Sequence, residues 1–279
     1  MKLTQKLGIA YVRTKFKLIS WYSKRMAAEK AFELFGTPLS RSKPKVAPAN
    51  AVPLSFALNN KKIQGYCWNS PQPKKILVLH GFASAAYKFE SYVALLVNKG
   101  YEVMAFDAPA HGDSDGKYTN AIEYCDMIKK VIALYGPIES FMAHSFGGIA
   151  LSLAMETLPH NANTKIVFIA PATETITAME GAFTILKIND QKVKDIFKDI
   201  IVERTGHPVE WFSMRRAAKN IEAQILWIHD EDDDVTPLQD ALKIKADEHS
   251  NIHFMITKGL GHRKIYHDKT VKKAIEDFL

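Results

Sequence analysis

The sequence predicts an α/β fold: a mostly parallel, doubly wound sheet with a helical lid insertion and an N-terminal helix. Three observations carry this. From residue 76 onward, short runs of consecutive apolar residues alternate with amphipathic stretches, the pattern of parallel strands buried on both faces and joined by helices. The alternation breaks once, over residues 172–218, and then resumes. A basic stretch without proline precedes it all and ends in a proline-rich segment.

Taken in order, residues 3–35 space Leu7, Tyr11, Leu18, Trp21, Tyr22, Met26, Phe32 and Phe35 as a helix does, and Gly36, Thr37 and Pro38 end it. Residues 37–53 hold four prolines and read as an extended linker. Residues 54–58 and 63–68, joined at Asn59 and Asn60, read as a hairpin. Strands are expected at 76–79, 103–106, 139–143 and 166–170. Helices are expected at 89–98, at 121–134 and from Gly147. After the insert come a strand at 225–229, a helix at 238–246, a strand at 252–256 and a helix at 270–279. The expected organisation is an N-terminal helix and linker over 1–53, then one α/β domain over 54–279 with residues 172–218 as its lid. An insert at that point of the chain is expected above the carboxyl ends of the strands, the edge where open α/β sheets bind ligands.

Composition excludes several classes. The chain of 279 residues is 47% hydrophobic and 24% charged, as soluble globular proteins are. Of the net charge of +7, the first 50 residues hold eleven Lys/Arg against Glu29 and Glu33, while the other 229 hold 26 basic and 28 acidic side chains. The basic excess is therefore local, and a nucleic-acid-binding face is not expected. Cys67 and Cys125 make no disulfide framework and lack metal-ligand spacing, so free thiols in a reducing compartment are expected. Lys6, Arg13, Lys15 and Lys17 interrupt any signal-peptide core, and no apolar run reaches the ~20 residues of a membrane span. The expected location is cytoplasmic. Residues 3–35 fit either an anionic membrane surface or packing on the body or a second subunit, and the broad aromatic set favours packing.

The chemistry centres on Ala143-His144-Ser145-Phe146-Gly147-Gly148, which follows a strand and opens a helix. A tight turn there needs small residues two before and two after Ser145, and Ala143 and Gly147 supply them. The segment resembles the Gly-X-Ser-X-Gly nucleophile elbow of the α/β-hydrolase superfamily of serine hydrolases, with Ala143 for the first glycine. The resemblance implies the α/β-hydrolase fold and Ser145 as nucleophile. His80-Gly81-Phe82 resembles the family's turn after its third strand, which implies the backbone N–H groups of Phe82 and Phe146 as the oxyanion hole. The His80 ring is then expected to fix the loop. Residues 106–114 resemble the Asp-X-Pro-Gly-His-Gly-X-Ser loop, with Asp107 and His111 structural and Ala110 replacing a glycine.

The acid is expected within residues 227–237, Trp-Ile-His-Asp-Glu-Asp-Asp-Asp-Val-Thr-Pro, which resembles His-Gly-X-X-Asp-X-X-Val-Pro with Asp230 in place of the glycine. Counting from His229 and from Pro237 both give Asp233, and Asp232 and Asp234 stay open. The base is expected at His262, after Gly259-Leu260-Gly261, with His267 as its rival. The order Ser145, Asp233, His262 is that of the fold's triad.

These resemblances imply ester or thioester cleavage through an acyl-enzyme, with a small acyl substrate and neither cofactor nor metal. The other readings are an amidase or peptidase, and a non-catalytic binder that keeps the fold. Phe82, Phe146, Phe183 and Trp211 are candidates for an apolar acyl site.

Overall fold

The computed structural model describes the backbone of residues 3–43 and 46–279, and within that span the side chains from residue 12 onward. Pro44 and Lys45 of the expected linker, and the side chains of Lys6, Leu7 and Tyr11, lie outside the described residues. Helices α1 (Leu3–Tyr22) and α2 (Lys24–Gly36) come first. They are followed by β1 (Val52–Leu58), β2 (Lys61–Trp68), β3 (Lys74–Leu79), α3 (Glu90–Asn98), β4 (Tyr101–Phe106), α4 (Ala121–Tyr135), β5 (Ser140–His144) and α5 (Phe146–Met155). Next come β6 (Lys165–Ile169), α6 (Thr175–Leu186), α7 (Gln191–Thr205) and α8 (Met214–Ala218). The chain ends with β7 (Gln224–Asp230), α9 (Leu238–Lys245), β8 (Ile252–Thr257), α10 (Gly261–Lys264) and α11 (Lys269–Phe278).

The eight strands form one sheet in the order β1-β2-β4-β3-β5-β6-β7-β8. β2 pairs antiparallel with β1 and β4, and the other pairings are parallel. Every residue of β4 and β5 is buried, which explains the apolar runs at 103–106 and 141–143. Each large side chain sealed in the sheet, such as Phe106, Phe141 or Phe168, stabilises the fold by roughly 1.5–3 kcal/mol. The β2–β4 seam also needs Gly65, because a Cβ there would sit 2.2 Å from the Phe106 ring.

Contacts divide the chain into two compact units. One comprises Pro38–Thr173 and Ser213–Leu279, and so holds the whole sheet. The other joins the residues up to Thr37 with Glu174–Phe212 and is helical. Its core is aromatic: Phe197 lies 5.0 Å from Phe183 and 5.9 Å from both Phe32 and Phe35, centroid to centroid. Arg25 closes a two-pronged pair with Glu203 at 2.6 and 2.8 Å. The segment expected as one helix over 3–35 is two, because Ser23 adopts φ −152° and caps α2 by accepting the Met26 N–H. The apolar spacing runs on across that joint, so spacing alone did not reveal it.

Candidate active site

At the carboxyl end of β5 the chain turns directly into α5. Ser145 holds φ 53° and ψ −121°, a region that costs a residue with a side chain roughly 1–3 kcal/mol. Local bonds hold it there. Its N–H donates to the Ile169 carbonyl at 3.2 Å, and its carbonyl accepts from Gly148 and Ala172 at 2.9 and 3.0 Å. The turn leaves no room beside it: a Cβ on Gly147 would sit 2.8 Å from the His80 carbonyl oxygen. Ser145 thus stands at the mouth of α5, just past a central strand of the sheet.

Two loops from β7 and β8 meet the serine. His262 Nε2 lies 3.0 Å from Ser145 Oγ, and His262 Nδ1 lies 2.8 Å from Asp233 Oδ2. The carboxylate fixes the tautomer: Nδ1 carries its proton toward Asp233, and the Nε2 lone pair faces the hydroxyl. Burial works to raise the Asp233 pKa, but the bond and charge of His262 and the N–H groups of Thr236 and Val235 outweigh it and hold the carboxyl below its usual range. A hydroxyl, an imidazole and an ionised carboxylate in this line can move a proton from Oγ to Nε2 and stabilise the resulting imidazolium. Of the neighbouring acids, Asp232 accepts the Gly259 N–H and Asp234 is exposed. His267 is exposed at the end of the 3₁₀ turn Ile265–His267. His262 itself sits in the one-turn helix α10, not in an open loop, and Gly261 enters it at φ 58°.

The turn after β3 comes against the elbow. A Cβ on Gly81 would lie 2.9 Å from Ser145 Cβ, so only glycine lets the two segments approach. The next residue is Phe82. Phe146 opens α5, and N–H groups in a helix's first turn have no partner within it. The two rings meet edge to face at 5.7 Å. His80 is buried and desolvation pushes its pKa down to about 3. The neutral ring accepts the Ala108 N–H at Nε2 and donates from Nδ1 to the Gly81 carbonyl. His111 accepts the Ala83 N–H, and Asp107 accepts those of Ala86 and Asp113. Phe183 is a core residue of the helical unit, packed on Phe197, and Trp211 stacks on His207 at 4.0 Å.

Three side chains around His262 were not singled out in the sequence. His144 donates from Nε2 to the His262 carbonyl at 3.2 Å, and burial pushes its pKa down to about 3. Thr236 Oγ1 lies 2.9 Å from Asp233 Oδ2 and 3.1 Å from His262 Nδ1. His229 donates from Nε2 to the Thr236 carbonyl at 2.7 Å, with the Trp227 indole N–H at 3.4 Å from its Nδ1. A fourth, Asp230, did leave a signal, because it stands where the family pattern has glycine. It accepts the N–H groups of Leu260 and Gly261, the two residues before His262.

Known proteins share parts of this chain. Polyneuridine aldehyde esterase of Rauvolfia serpentina is 27% identical over 50% of the chain and 54% of its own length. Methylesterase 7 of Arabidopsis thaliana is 26% identical over 50% of the chain and 55% of its own. The chain thus spans about half the length of these curated relatives. Among solved structures, an esterase of Pyrococcus furiosus superposes with a TM-score of 0.66 at 18% identity, over 86% of this chain and 96% of that one. A ferulic-acid-bound esterase of Butyrivibrio proteoclasticus gives 0.62 at 16% identity, over 81% and 97%. Both have the α/β-hydrolase fold in common with this chain. A family model described as serine aminopeptidase, S33, matches residues 70–213, which take in β3, the elbow and helices α6 and α7 of the insert. That match covers half of the chain, and the chain accordingly belongs to this serine aminopeptidase S33 (Hydrolase_4) family of the α/β-hydrolase superfamily.

Proposed function

We propose that this protein is a serine esterase acting on small carboxylic esters or thioesters. The observation that carries the proposal is the unbroken line from Ser145 Oγ through His262 to Asp233, at 3.0 and 2.8 Å, with the serine on a strained turn. His262 takes the Ser145 proton as Oγ attacks the acyl carbon. The Phe82 and Phe146 N–H groups receive the oxyanion, each such donor being worth about 3–4 kcal/mol in a working site. Asp233 orients His262 and stabilises its imidazolium. His262 then protonates the leaving group, and water, deprotonated by the same ring, releases the acid. The esterase names of its relatives support an ester as the bond cleaved.

Fluorophosphonate labelling, with a panel of ester and thioester substrates of rising acyl length, tests this in the wild type and Ser145→Ala. The wild type is expected to label and turn over. The variant should lose turnover by about 10⁴–10⁶-fold with its circular dichroism unchanged. Equal turnover by the two proteins would sink the proposal. The description of the family model favours a second reading, cleavage of aminoacyl amides. Adding aminoacyl p-nitroanilides to the panel separates the two, because the second reading requires them to be the better substrates.

A further inference from the structure

Helix α1 has a face that no described residue of the helical unit covers. Phe16 is buried and Val12, Arg13, Ile19 and Ser20 are half-buried, so these positions pack inward. Between them, Leu18, Trp21 and Tyr22 are 67%, 88% and 79% exposed. At ~100° per residue, Lys17, Trp21, Thr14, Leu18, Tyr22 and Lys15 follow one another around an arc of about 160°. The centre of that arc is apolar and aromatic, and each edge is a lysine. Just past the Ser23 joint, Met26 of α2 adds a further exposed side chain. An arc this apolar, left in water on an ordered helix, calls for a partner.

The charges say which partner. Lys24 is held by Asp190 and Arg25 by Glu203 and Glu29, whereas Lys15 and Lys17 have no acidic partner among the described residues. Beside the face a cleft of about 590 Å³ opens within the same unit, lined by Arg13, Lys17, Trp21, Lys24, Lys187 and Asp190, among others. Four cations and one anion line it. The Arg13 guanidinium is set in place by two bonds to the Ile185 carbonyl, at 2.7 and 3.1 Å. An anionic group is the ligand this lining suits. A flat aromatic face edged by lysines, next to a cationic slot, matches the surface of an anionic bilayer: Trp and Tyr enter the headgroup layer and lysines reach back to phosphates.

We infer that this helical unit docks on anionic phospholipid membranes, with the Leu18–Trp21–Tyr22 face in the headgroup layer and the Arg13–Lys187 cleft taking a lipid phosphate. The docking is peripheral, since no described helix is long and apolar enough to cross a membrane. It presents an enzyme of this family to substrates that partition into lipid, and it does not depend on the assignment of Ser145.

Vesicle co-sedimentation of the full chain tests it, on phosphatidylcholine alone and with one third phosphatidylglycerol. Binding is expected only with the anionic lipid, accompanied by a blue shift of tryptophan emission that Trp21→Phe removes. Each of Lys15→Gln and Lys17→Gln should weaken binding about fivefold, and Leu18→Ser/Trp21→Ser should abolish it. These positions are exposed, so the unfolding temperature and the hydrolysis of a water-soluble ester should be unchanged in all of them. Equal binding to both vesicle types, or none to either, overturns the proposal. So does a concentration-dependent dimer lost in Leu18→Ser/Trp21→Ser, which would make a second copy the occupant. Thermal stabilisation by inorganic phosphate without vesicle binding would make the cleft a small-anion site and overturns it equally.

Discussion

Asp107, just past β4, and Asp230, at the end of β7, stand at the carboxyl ends of two strands of the sheet and end in opposite electrostatic states. Both are fully buried, and burial works to raise both pKa values. Asp107 accepts two backbone N–H groups, from Ala86 and Asp113. Burial wins there, and the pKa is pushed up to about 6. Asp230 accepts from the Thr257 hydroxyl at 2.7 Å and from the N–H groups of Gly261, Asp232 and Leu260 at 2.8, 3.0 and 3.1 Å. Four donors outweigh burial, and its carboxyl stays below the usual range. Desolvation weighs more heavily on Asp107 and donors are more numerous at Asp230, and both differences decide which buried carboxylate keeps its charge. The two aspartates also hold different things. Asp107 ties together loops beside His80 and His111, while Asp230 fixes the backbone that leads into His262.

The largest effect expected from this contrast is that of Asp230→Ala. It orphans three N–H groups and a hydroxyl at a fully buried site, a loss of about 3–5 kcal/mol. Because two of those N–H groups belong to Leu260 and Gly261, kcat for a soluble ester should fall as well. Urea unfolding and turnover at pH 7 check both. A loss under about 1 kcal/mol would mean that Asp230 holds nothing its neighbours cannot hold without it. Asp107→Asn should cost less, about 1–2 kcal/mol at pH 7.5. It sets an amide N–H₂ against the Asp113 N–H, but it also removes a charge that burial disfavours.

The pH dependence of the two asparagine variants, Asp107→Asn and Asp230→Asn, should differ in sign. The folded pKa of Asp107 is raised, from 3.8 to about 6. The stability its protonated form contributes is fully present below about pH 4 and lost as pH rises through about 6. Wild type should therefore gain on Asp107→Asn by about 2–3 kcal/mol between pH 7.5 and pH 4. Asp230 is depressed, so its contribution is present above the unfolded value near 4 and lost only as pH falls below it. The gap between wild type and Asp230→Asn should hold steady from pH 8 to 5 and narrow below pH 4. Parallel pH curves for the two variants would break the contrast.

The same contrast explains what the sequence could reveal. The parallel strands were legible because burial on both faces selects runs of apolar residues, such as 103–106 in β4 and 141–143 in β5. The elbow was legible because its constraints are local: small residues at 143 and 147 around Ser145. Asp230 appeared only as a departure from a pattern, since its donors at 257, 260 and 261 lie about thirty residues away and two of them, at 260 and 261, are backbone N–H groups. No composition rule reports a backbone donor. His144 was hidden for a like reason, as its partner is the carbonyl of His262. The break at Ser23 was hidden because the apolar spacing passes through it, while only the cap geometry marks it.

The smallest effect expected concerns Asp233, a third buried carboxylate, which has four donors as Asp230 does. It takes the N–H groups of Val235 and Thr236, the His262 Nδ1–H and, at 2.9 Å, Thr236 Oγ1. Thr236→Val deletes one partner of four and keeps the side chain's shape. If donors set the charge of a buried carboxylate incrementally, Asp233 should stay ionised and the fold should lose about 1 kcal/mol. The His262 ring, however, loses the oxygen 3.1 Å from Nδ1, so its orientation rests on Asp233 alone. Turnover should fall about 3–10-fold, the size of a 0.6–1.4 kcal/mol change in barrier, with KM unchanged. Thr236→Ser should restore it, since the hydroxyl returns without the methyl. Loss of KM rather than kcat, or no rescue by serine, would show that Thr236 supports the loop by packing and that three donors already suffice at Asp233.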